Sequence, residues 1–209
     1  HCTLYHKSAF KDKEKVRKMK QLEIELKTLL KKDDYNHFKK QFAHIAPVHQ
    51  KNYYIDTPDF QLREKKVAMR IRALSDCAEL TLKVPQTIGN MEYNQKMTLS
   101  EAEYYLEKQI LPQGMVMEKL TEIGIESHNW LILGCLETIR YEMETDIGLM
   151  ALDQSHYFGQ TDYELELEVS DFEQGKVDFQ QFLDENHITY QKAPSKLIRF
   201  IKNMQKKLK

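Results

Sequence analysis

Charged and aliphatic residues alternate in two short runs near opposite ends of the chain. Glu23-Ile-Glu-Leu-Lys27 is the first run, and Glu164-Leu-Glu-Leu-Glu168 is the second. Alternate side chains of an extended strand share a face, so each run predicts a strand with charges on one side and aliphatic groups on the other. Carboxylate oxygens grouped in this way are ligands that suit Mg²⁺ or Mn²⁺ rather than zinc.

The same alternation places cations in three further segments. Arg70-Ile-Arg72, Thr81-Leu-Lys83 and Thr138-Ile-Arg140 carry them, and Glu92-Tyr-Asn94 adds another acid. One such run is usually the solvated face of an edge strand, but several of them can close into a barrel with a polar interior. Guanidinium groups match phosphate oxygens, and buried charges need partners of opposite sign. Acids and cations together therefore predict a site for a metal-polyphosphate complex.

Composition favours one enzyme-sized domain. The chain has 209 residues, with 31 basic and 32 acidic side chains, so its net charge does not indicate binding to nucleic acid or to a membrane. Its three cysteines are widely spaced and form no CxxC pair, which argues against a structural zinc site and favours a reducing, cytoplasmic setting. No apolar stretch approaches the ~18 residues of a membrane span.

The first residues differ from the rest. From Lys7 to Lys20 the chain has seven basic and two acidic residues, and Met19 precedes the first predicted strand. A basic arm for nucleic acid is one interpretation. Basic runs without interleaved aromatic residues are usually solvated tails, so we interpret residues 1–19 as a basic N-terminal extension or leader and residues 20–209 as a single domain.

Turn and capping signals divide that domain into strands and helices. We predict a first helix from the helical spacing of Tyr35, Phe38, Phe42 and Ile45, and further helices at about 100–110, 115–123, 175–187 and 195–207. The first would be capped by Asp33-Asp34, and the second would begin with a capping box at Ser100–Glu103. We predict strands at 22–29, 52–56, 60–64, 67–74, 78–84, 91–98, 130–133, 135–145, 149–153 and 162–169.

The motifs occur in the order of a known family. Glu23-Ile-Glu-Leu-Lys27 resembles the ExExK signature of the CYTH superfamily, also called triphosphate tunnel metalloenzymes. Asn52-Tyr-Tyr-Ile-Asp-Thr57 with Ala68-Met-Arg-Ile-Arg72 resembles the second block of that family, and Ala193-Pro-Ser-Lys-Leu-Ile198 its last. The resemblance covers essentially residues 20–209. Asn94 departs from it, since many members carry a second acid there.

The resemblance implies an α+β fold: an eight-stranded antiparallel β-barrel, or tunnel, with a polar charged interior and helices packed outside. It also implies roles for individual residues. Metal ligands are Glu23, Glu25, Asp153, Glu166 and Glu168; phosphate-binding residues are Arg70, Arg72, Lys83, Arg140 and Lys196; candidate catalytic residues are Lys27, Glu92, Glu164 and Glu166. Two registers of the 164/166/168 triplet remain open for the paired acids.

We therefore predict hydrolysis of a small-molecule triphosphate, dependent on Mg²⁺ or Mn²⁺, by a water molecule that attacks phosphorus. The substrate class spans inorganic triphosphate, thiamine triphosphate and nucleoside triphosphates. Adenylate cyclisation on the same fold is one alternative, and a non-catalytic module that binds polyphosphate or triphosphorylated RNA is another. A binding module has little use for so many acids. Whether the protein is a monomer or a homodimer is left open.

Overall fold

The structure is a computed structural model that describes residues 19–208. Apart from Met19, the predicted N-terminal extension lies outside the described residues. The chain divides into two compact units. The first unit contains Lys51–Cys135 and the segment that ends at Leu22, and the second contains Glu23–Gln50 and the chain from Leu136 onwards. The single domain over 20–209 stays a prediction.

The strands form a closed antiparallel barrel, which confirms the predicted fold class. The barrel order is β1-β5-β4-β3-β2-β6-β7-β8. The strands are β1 (Lys20–Leu30), β2 (Val48–Asp56), β3 (Ala68–Ala73), β4 (Ala78–Pro85), β5 (Asn90–Met97), β6 (Leu131–Thr145), β7 (Gly148–Tyr157) and β8 (Gln160–Val169).

Six helices occur among residues 19–208. They are α1 (Lys32–Gln41), α2 (Gln61–Glu64), α3 (Leu99–Lys108), α4 (Met115–Glu122), α5 (Phe172–Glu185) and α6 (Lys196–Lys207). The helices α2, α3 and α4 pack on strands of the first unit, and α1 and α5 pack on strands of the second.

Each unit has its own apolar core on the face of the strands that the helices cover. In the first unit, Ile71 and Leu80 are buried with Leu120 of α4. In the second unit, Leu165 and Leu167 are buried with aromatic residues of α1 and α5 such as Phe38. Because strand side chains alternate, the polar residues between these aliphatic ones occupy the opposite face, which in a closed barrel is the inner one.

The strand predicted at 60–64 is wrong, because this segment is the helix α2. The buried carboxylate of Asp56 explains the difference: it accepts hydrogen bonds from the backbone N–H groups of Thr57 at 2.7 Å, Leu62 at 3.0 Å and Arg63 at 3.2 Å. The Thr57 hydroxyl accepts a further one from Gln61 N–H at 2.9 Å. These side-chain acceptors satisfy backbone donors at the start of a helical turn.

Three boundary predictions also need correction. The strands predicted at 130–133 and 135–145 are one strand, β6. The capping box that begins α3 is formed by Thr98 and Glu101, two residues before the predicted position. Lys31 is the N-cap of α1, so Asp33 and Asp34 lie in the first turn, where carboxylates interact favourably with the helix dipole.

Among the helices of the described chain, none combines the length and the apolar character that a membrane crossing requires.

Candidate functional site

The two arginines of β3 lie on the polar face of the first unit. Arg72 is opposite Asn52 of β2, and its Nε donates a hydrogen bond to the Asn52 amide oxygen at 2.9 Å. Arg70 is opposite Tyr54 on the same side of the ladder. Its Nε is buried and has no hydrogen-bond partner among the residues that the structure describes. A buried guanidinium N–H without an acceptor is unfavourable unless a ligand satisfies it.

A lysine and a glutamate continue this face across β4 and β5. Lys83 and Glu92 lie directly opposite each other, and Nζ is 2.8 Å from Glu92 Oε1. Two residues along each strand, the Thr81 hydroxyl donates to the Asn94 side-chain oxygen at 2.8 Å. Asn94 thus has a structural partner at the position where the resemblance led us to expect a second acid.

The second unit contains a buried cluster of three acids and two cations. Arg140 donates Nε–H to Asp153 Oδ1 at 2.8 Å and Nη2–H to Asp153 Oδ2 at 2.7 Å, and it also pairs with Glu166. Lys196 Nζ lies 2.7 Å from Asp153 Oδ2, 2.8 Å from Glu164 Oε1 and 2.5 Å from Glu166 Oε1. Every member of the cluster therefore has at least one partner of opposite charge.

The register of the strands explains this convergence. Glu164 lies opposite Asp153 across β7 and β8, and Asp153 lies opposite Arg140 across β6 and β7. Lys196 is added by the first residue of α6, which Ser195 caps by accepting a hydrogen bond from Ile198 N–H at 3.2 Å. A lysine at a helix N-terminus is unfavourable with respect to the helix dipole. The three carboxylates compensate for that cost.

The cations set the protonation of these acids. Burial disfavours the ionised forms of Glu166 and Asp153, but the charges of Lys196 and Arg140 outweigh this effect. They hold the pKa of Glu166 well below its ordinary value and also lower the pKa of Asp153. Burial and the adjacent Glu166 carboxylate raise the pKa of Glu164 to about 7, against the opposing effect of Lys196. Neighbouring carboxyl groups whose pKa values are pushed apart are a feature of many catalytic sites.

The residues of the ExExK signature lie at the edge of this cluster. Lys27 is opposite Glu166, and Glu25 is opposite Glu168, across β1 and β8. Lys27 Nζ is 3.1 Å from Glu25 Oε2. Burial lowers the pKa of Lys27, but Glu25 and Glu166 raise it above its ordinary value. Glu23 shares the strand face of Glu25 because the two are separated by one residue.

The predicted site residues thus form a set on the polar face of each unit. The first unit holds Arg70, Arg72, Lys83 and Glu92. The second holds Glu23, Glu25, Lys27, Arg140, Asp153, Glu164, Glu166, Glu168 and Lys196. The catalytic, metal-binding and phosphate-binding roles of these residues stay predictions.

Sequence reasoning missed Arg199, which pairs with Glu164 and lies 3.6 Å from Asp162. It also missed Asp162, which accepts a hydrogen bond from the Tyr157 hydroxyl. The helical spacing of Arg199, three residues after Lys196, was the available signal.

The acids of the second unit have the chemistry of a divalent-metal site. Asp153, Glu164 and Glu166 each offer an oxygen, and these oxygens lie within 4.8 Å of one another. Carboxylate oxygens are the ligands that Mg²⁺ and Mn²⁺ prefer. The ammonium of Lys196 contacts all three carboxylates, so an ion that used this whole set would compete with Lys196.

Comparison with known proteins places the chain in a family. Residues 21–201 match the family model described as the CYTH domain. The chain belongs to the CYTH domain family. The resemblance drawn from the ExExK run and the motifs that follow it is therefore confirmed, and the matched range includes every predicted site residue.

Similar CYTH proteins include one curated relative and two solved structures. "Putative triphosphatase YjbK" of Bacillus subtilis (strain 168) is 34% identical over 191 residues, which cover 90% of this chain and 98% of the relative. A Bacillus halodurans protein described as a "putative adenylate cyclase (bh2851)" is 36% identical and has a TM-score of 0.81, with 87% of this chain and 98% of that chain covered.

A Hippeastrum protein called HpAC1, described as a putative adenylyl cyclase with a dominant triphosphatase activity, has a TM-score of 0.76 at 22% identity. The comparison covers 87% of this chain and 96% of that chain, and at this identity it supports the CYTH fold alone.

Proposed function

We propose that the protein hydrolyses a small-molecule triphosphate with Mg²⁺ or Mn²⁺ and water. The observation that carries the proposal is the buried Nε of Arg70, which has no hydrogen-bond partner within residues 19–208. It lies on the same strand face as the guanidinium of Arg72. A guanidinium with an unsatisfied donor, beside a second guanidinium on the same strand face, is suited to the oxygens of a phosphate chain.

The cations position the substrate. Arg70 and Arg72 contact phosphate oxygens through planar forks, and Lys83 contributes a point charge that Glu92 orients from the opposite strand. In the second unit, Arg140 and Lys196 are already held by carboxylates and neutralise phosphate charge from fixed positions. Fixed positions matter because the catalysis of phosphoryl transfer rests on positioning and charge stabilisation.

The acids hold the metal. Glu23, Glu25, Asp153, Glu166 and Glu168 are the proposed ligands, on strand faces that the structure places side by side in β1, β7 and β8. A bound divalent ion lowers the pKa of coordinated water and neutralises charge on phosphate oxygens. Glu164 or Glu92 orients the attacking water or accepts its proton, and Lys27 stabilises the ligand set through its contact with Glu25.

The relatives support hydrolysis. The relative named as a triphosphatase is 34% identical to this chain over 98% of its own length. We therefore propose the same activity for this chain. Adenylate cyclisation is the second candidate, because the Bacillus halodurans protein that is 36% identical is described as a cyclase. A binding module for polyphosphate is disfavoured by the acids of the second unit, since an anion-binding site has little use for so many carboxylates.

The experiment is a substrate panel. Purified protein is incubated with inorganic triphosphate, thiamine triphosphate and ATP in the presence of Mg²⁺, Mn²⁺ or EDTA, and orthophosphate is measured. We expect release from at least one triphosphate that EDTA abolishes. Metal-independent release, or no release from any of the three, would contradict the proposal.

A further inference from the structure

One arginine of the last helix links α6 to two carboxylates of β8. Arg199 lies on α6 three residues after Lys196, so both side chains project from the same side of the helix. Its Nη2 donates to Glu164 Oε2, and its Nε is 3.6 Å from Asp162 Oδ2. Asp162 and Glu164 are separated by one residue on β8 and share a strand face. A single guanidinium therefore spans two acids of that strand.

The carboxylate of Glu164 contacts two cations of α6, one with each oxygen. Its Oε2 is bound by Arg199, and its Oε1 lies 2.8 Å from Lys196 Nζ. With one oxygen bound by Arg199, the other remains directed at Lys196. Loss of Arg199 would free Glu164 Oε2 and allow the carboxylate to rotate. Lys196, which shares its ammonium among Glu164, Asp153 and Glu166, would move with it.

The helix itself is held by other contacts. Phe200 of α6 packs against Phe158, with ring centroids 4.7 Å apart, and against Tyr157, with centroids 6.1 Å apart. The segment before α6 is bound to β1, where Leu29 N–H donates to Gln191 O at 3.0 Å. These contacts do not involve the guanidinium of Arg199. We therefore expect α6 to remain docked when that group is removed.

The contacts of Arg199 indicate a role beyond holding α6 against the barrel strand β8. It is only 8% exposed, yet its Nε and Nη1 are buried without a hydrogen-bond partner in the part of the chain that the structure describes, so its contact with Asp162 is an ion pair and not a hydrogen bond. A buried donor left unsatisfied lowers stability. What the arginine contributes in return is a planar fork that reaches Glu164 and Asp162 together, which the single ammonium of a lysine cannot do.

We propose that Arg199 is a positioning residue that orients the Glu164 carboxylate and, through it, the ammonium of Lys196. It acts through these two residues and does not contact the substrate. This inference rests on the proposed function, because the quantity that Arg199 controls is the turnover of the triphosphate.

The test compares Arg199→Met, Arg199→Lys and the control Lys202→Met. Lys202 is one turn further along α6 and exposed, so its substitution removes the same charge from the same helix. We expect Arg199→Met to lower kcat for the best triphosphate by roughly 10- to 100-fold with KM changed less than about threefold, the scale found for residues that orient catalytic groups. Arg199→Lys should fall between Arg199→Met and the wild type, and Lys202→Met should equal the wild type.

Wild-type kcat in Arg199→Met would overturn the inference, and so would an equal loss in Lys202→Met. Circular dichroism first checks that each variant is folded. If Arg199→Met does not fold, the test rests on Arg199→Lys. A reduced kcat in that variant supports the inference. A wild-type kcat with a lower melting temperature shows that Arg199 only stabilises the fold, and it overturns the inference.

A crystal structure of the folded Arg199 variant separates this inference from the proposed function. If the wild type releases no orthophosphate, the proposed function fails. The inference is then judged by Glu164 alone: a carboxylate displaced from Lys196 supports it, and an unchanged Glu164–Lys196 contact overturns it.

Discussion

Glu25 and Glu168 lie directly opposite each other on β1 and β8, so two carboxylates share one level of the polar face of the second unit. Like charges in this arrangement destabilise a strand pair. Lys27, 3.1 Å from Glu25, compensates part of the repulsion. A divalent cation bound by the two carboxylates would compensate more of it, which supports the proposal that both are metal ligands.

The first prediction follows from that assignment. Glu25→Gln and Glu23→Gln should each abolish turnover, by more than roughly 100-fold, since even residues that only support metal ligands contribute roughly 10- to 100-fold. The fold should persist, because glutamine has nearly the shape of glutamate and, at position 25, the change removes one of two opposed charges. Orthophosphate release and circular dichroism measure the two effects. Glu137→Gln, an exposed acid of β6, is the control. Near wild-type turnover in either site variant would remove that glutamate from the ligand set.

The second prediction concerns the phosphate-binding arginines. Arg70→Ala and Arg72→Ala should each lower kcat/KM for the triphosphate roughly 10- to 100-fold, because a charge-assisted hydrogen bond contributes about 1.5–3 kcal/mol. Arg70→Lys should restore only part of the loss, since an ammonium cannot replace a planar fork. Steady-state kinetics measure the effect, with the exposed Arg63→Ala of the same unit as control. Unchanged kinetics in both alanine variants would contradict the assignment.

A third prediction separates fold from catalysis. Asp56 accepts hydrogen bonds from three backbone N–H groups at the turn before α2 and belongs to neither charged set. Asp56→Ala should lower the free energy of unfolding by about 2–4 kcal/mol, because buried donors lose a charged acceptor. Urea denaturation measures the loss. The exposed Asp59→Ala should change stability little. Equal stability of Asp56→Ala and the wild type would refute this account of the turn.

Much of the architecture could be predicted from local pattern. The alternation in Glu23–Lys27 and Glu164–Glu168 identified β1 and β8 because a strand has a period of two. The segment 60–64 was assigned to the wrong element because its conformation depends on Asp56, whose carboxylate accepts backbone N–H groups six and seven residues further along the chain. Such contacts are made through space and leave no periodic signal.

The residues of the candidate site could be predicted from the sequence, but the contacts between them could not. Residue types and the family resemblance predicted that Arg140 and Lys196 bind phosphate, and the structure adds that each contacts carboxylates of the second unit. That pairing depends on which strands are neighbours, on their register and on the docking of α6, none of which is read from the local pattern of one segment. Arg199 was missed because its partner Glu164 is 35 positions away in the chain, and its helical spacing from Lys196 was the only signal near it in the sequence.

The fourth prediction tests the balance of charge around Lys196. This ammonium contacts three carboxylates, so Lys196→Met leaves buried acids undercompensated and should lower the free energy of unfolding by about 3–5 kcal/mol in EDTA. Mg²⁺ should restore more stability to this variant than to the wild type, because it can replace the lost ammonium among Asp153, Glu164 and Glu166, whose oxygens lie within 4.8 Å of one another. Urea denaturation with EDTA and with Mg²⁺ measures both effects.

The matched control for this charge is Lys202→Met, which removes an exposed lysine of α6. It should behave as the wild type under both conditions. If Lys196→Met is as stable as the wild type in EDTA, the ammonium does not hold the acids together. If Mg²⁺ stabilises the variant and the wild type equally, the three carboxylates do not form a metal site.

The choice between hydrolysis and cyclisation tests the central claim most directly. Cyclisation must fold the ribose 3′-hydroxyl in line with the α-phosphorus and benefits from contacts that recognise adenine, whereas the roles we propose for the charged residues of both units are to bind phosphate and metal. Purified protein is incubated with inorganic triphosphate and with ATP, with Mg²⁺ and with Mn²⁺, and orthophosphate and cyclic AMP are measured side by side. Our account predicts metal-dependent release of orthophosphate with little cyclic AMP. Dominant formation of cyclic AMP from ATP would contradict it.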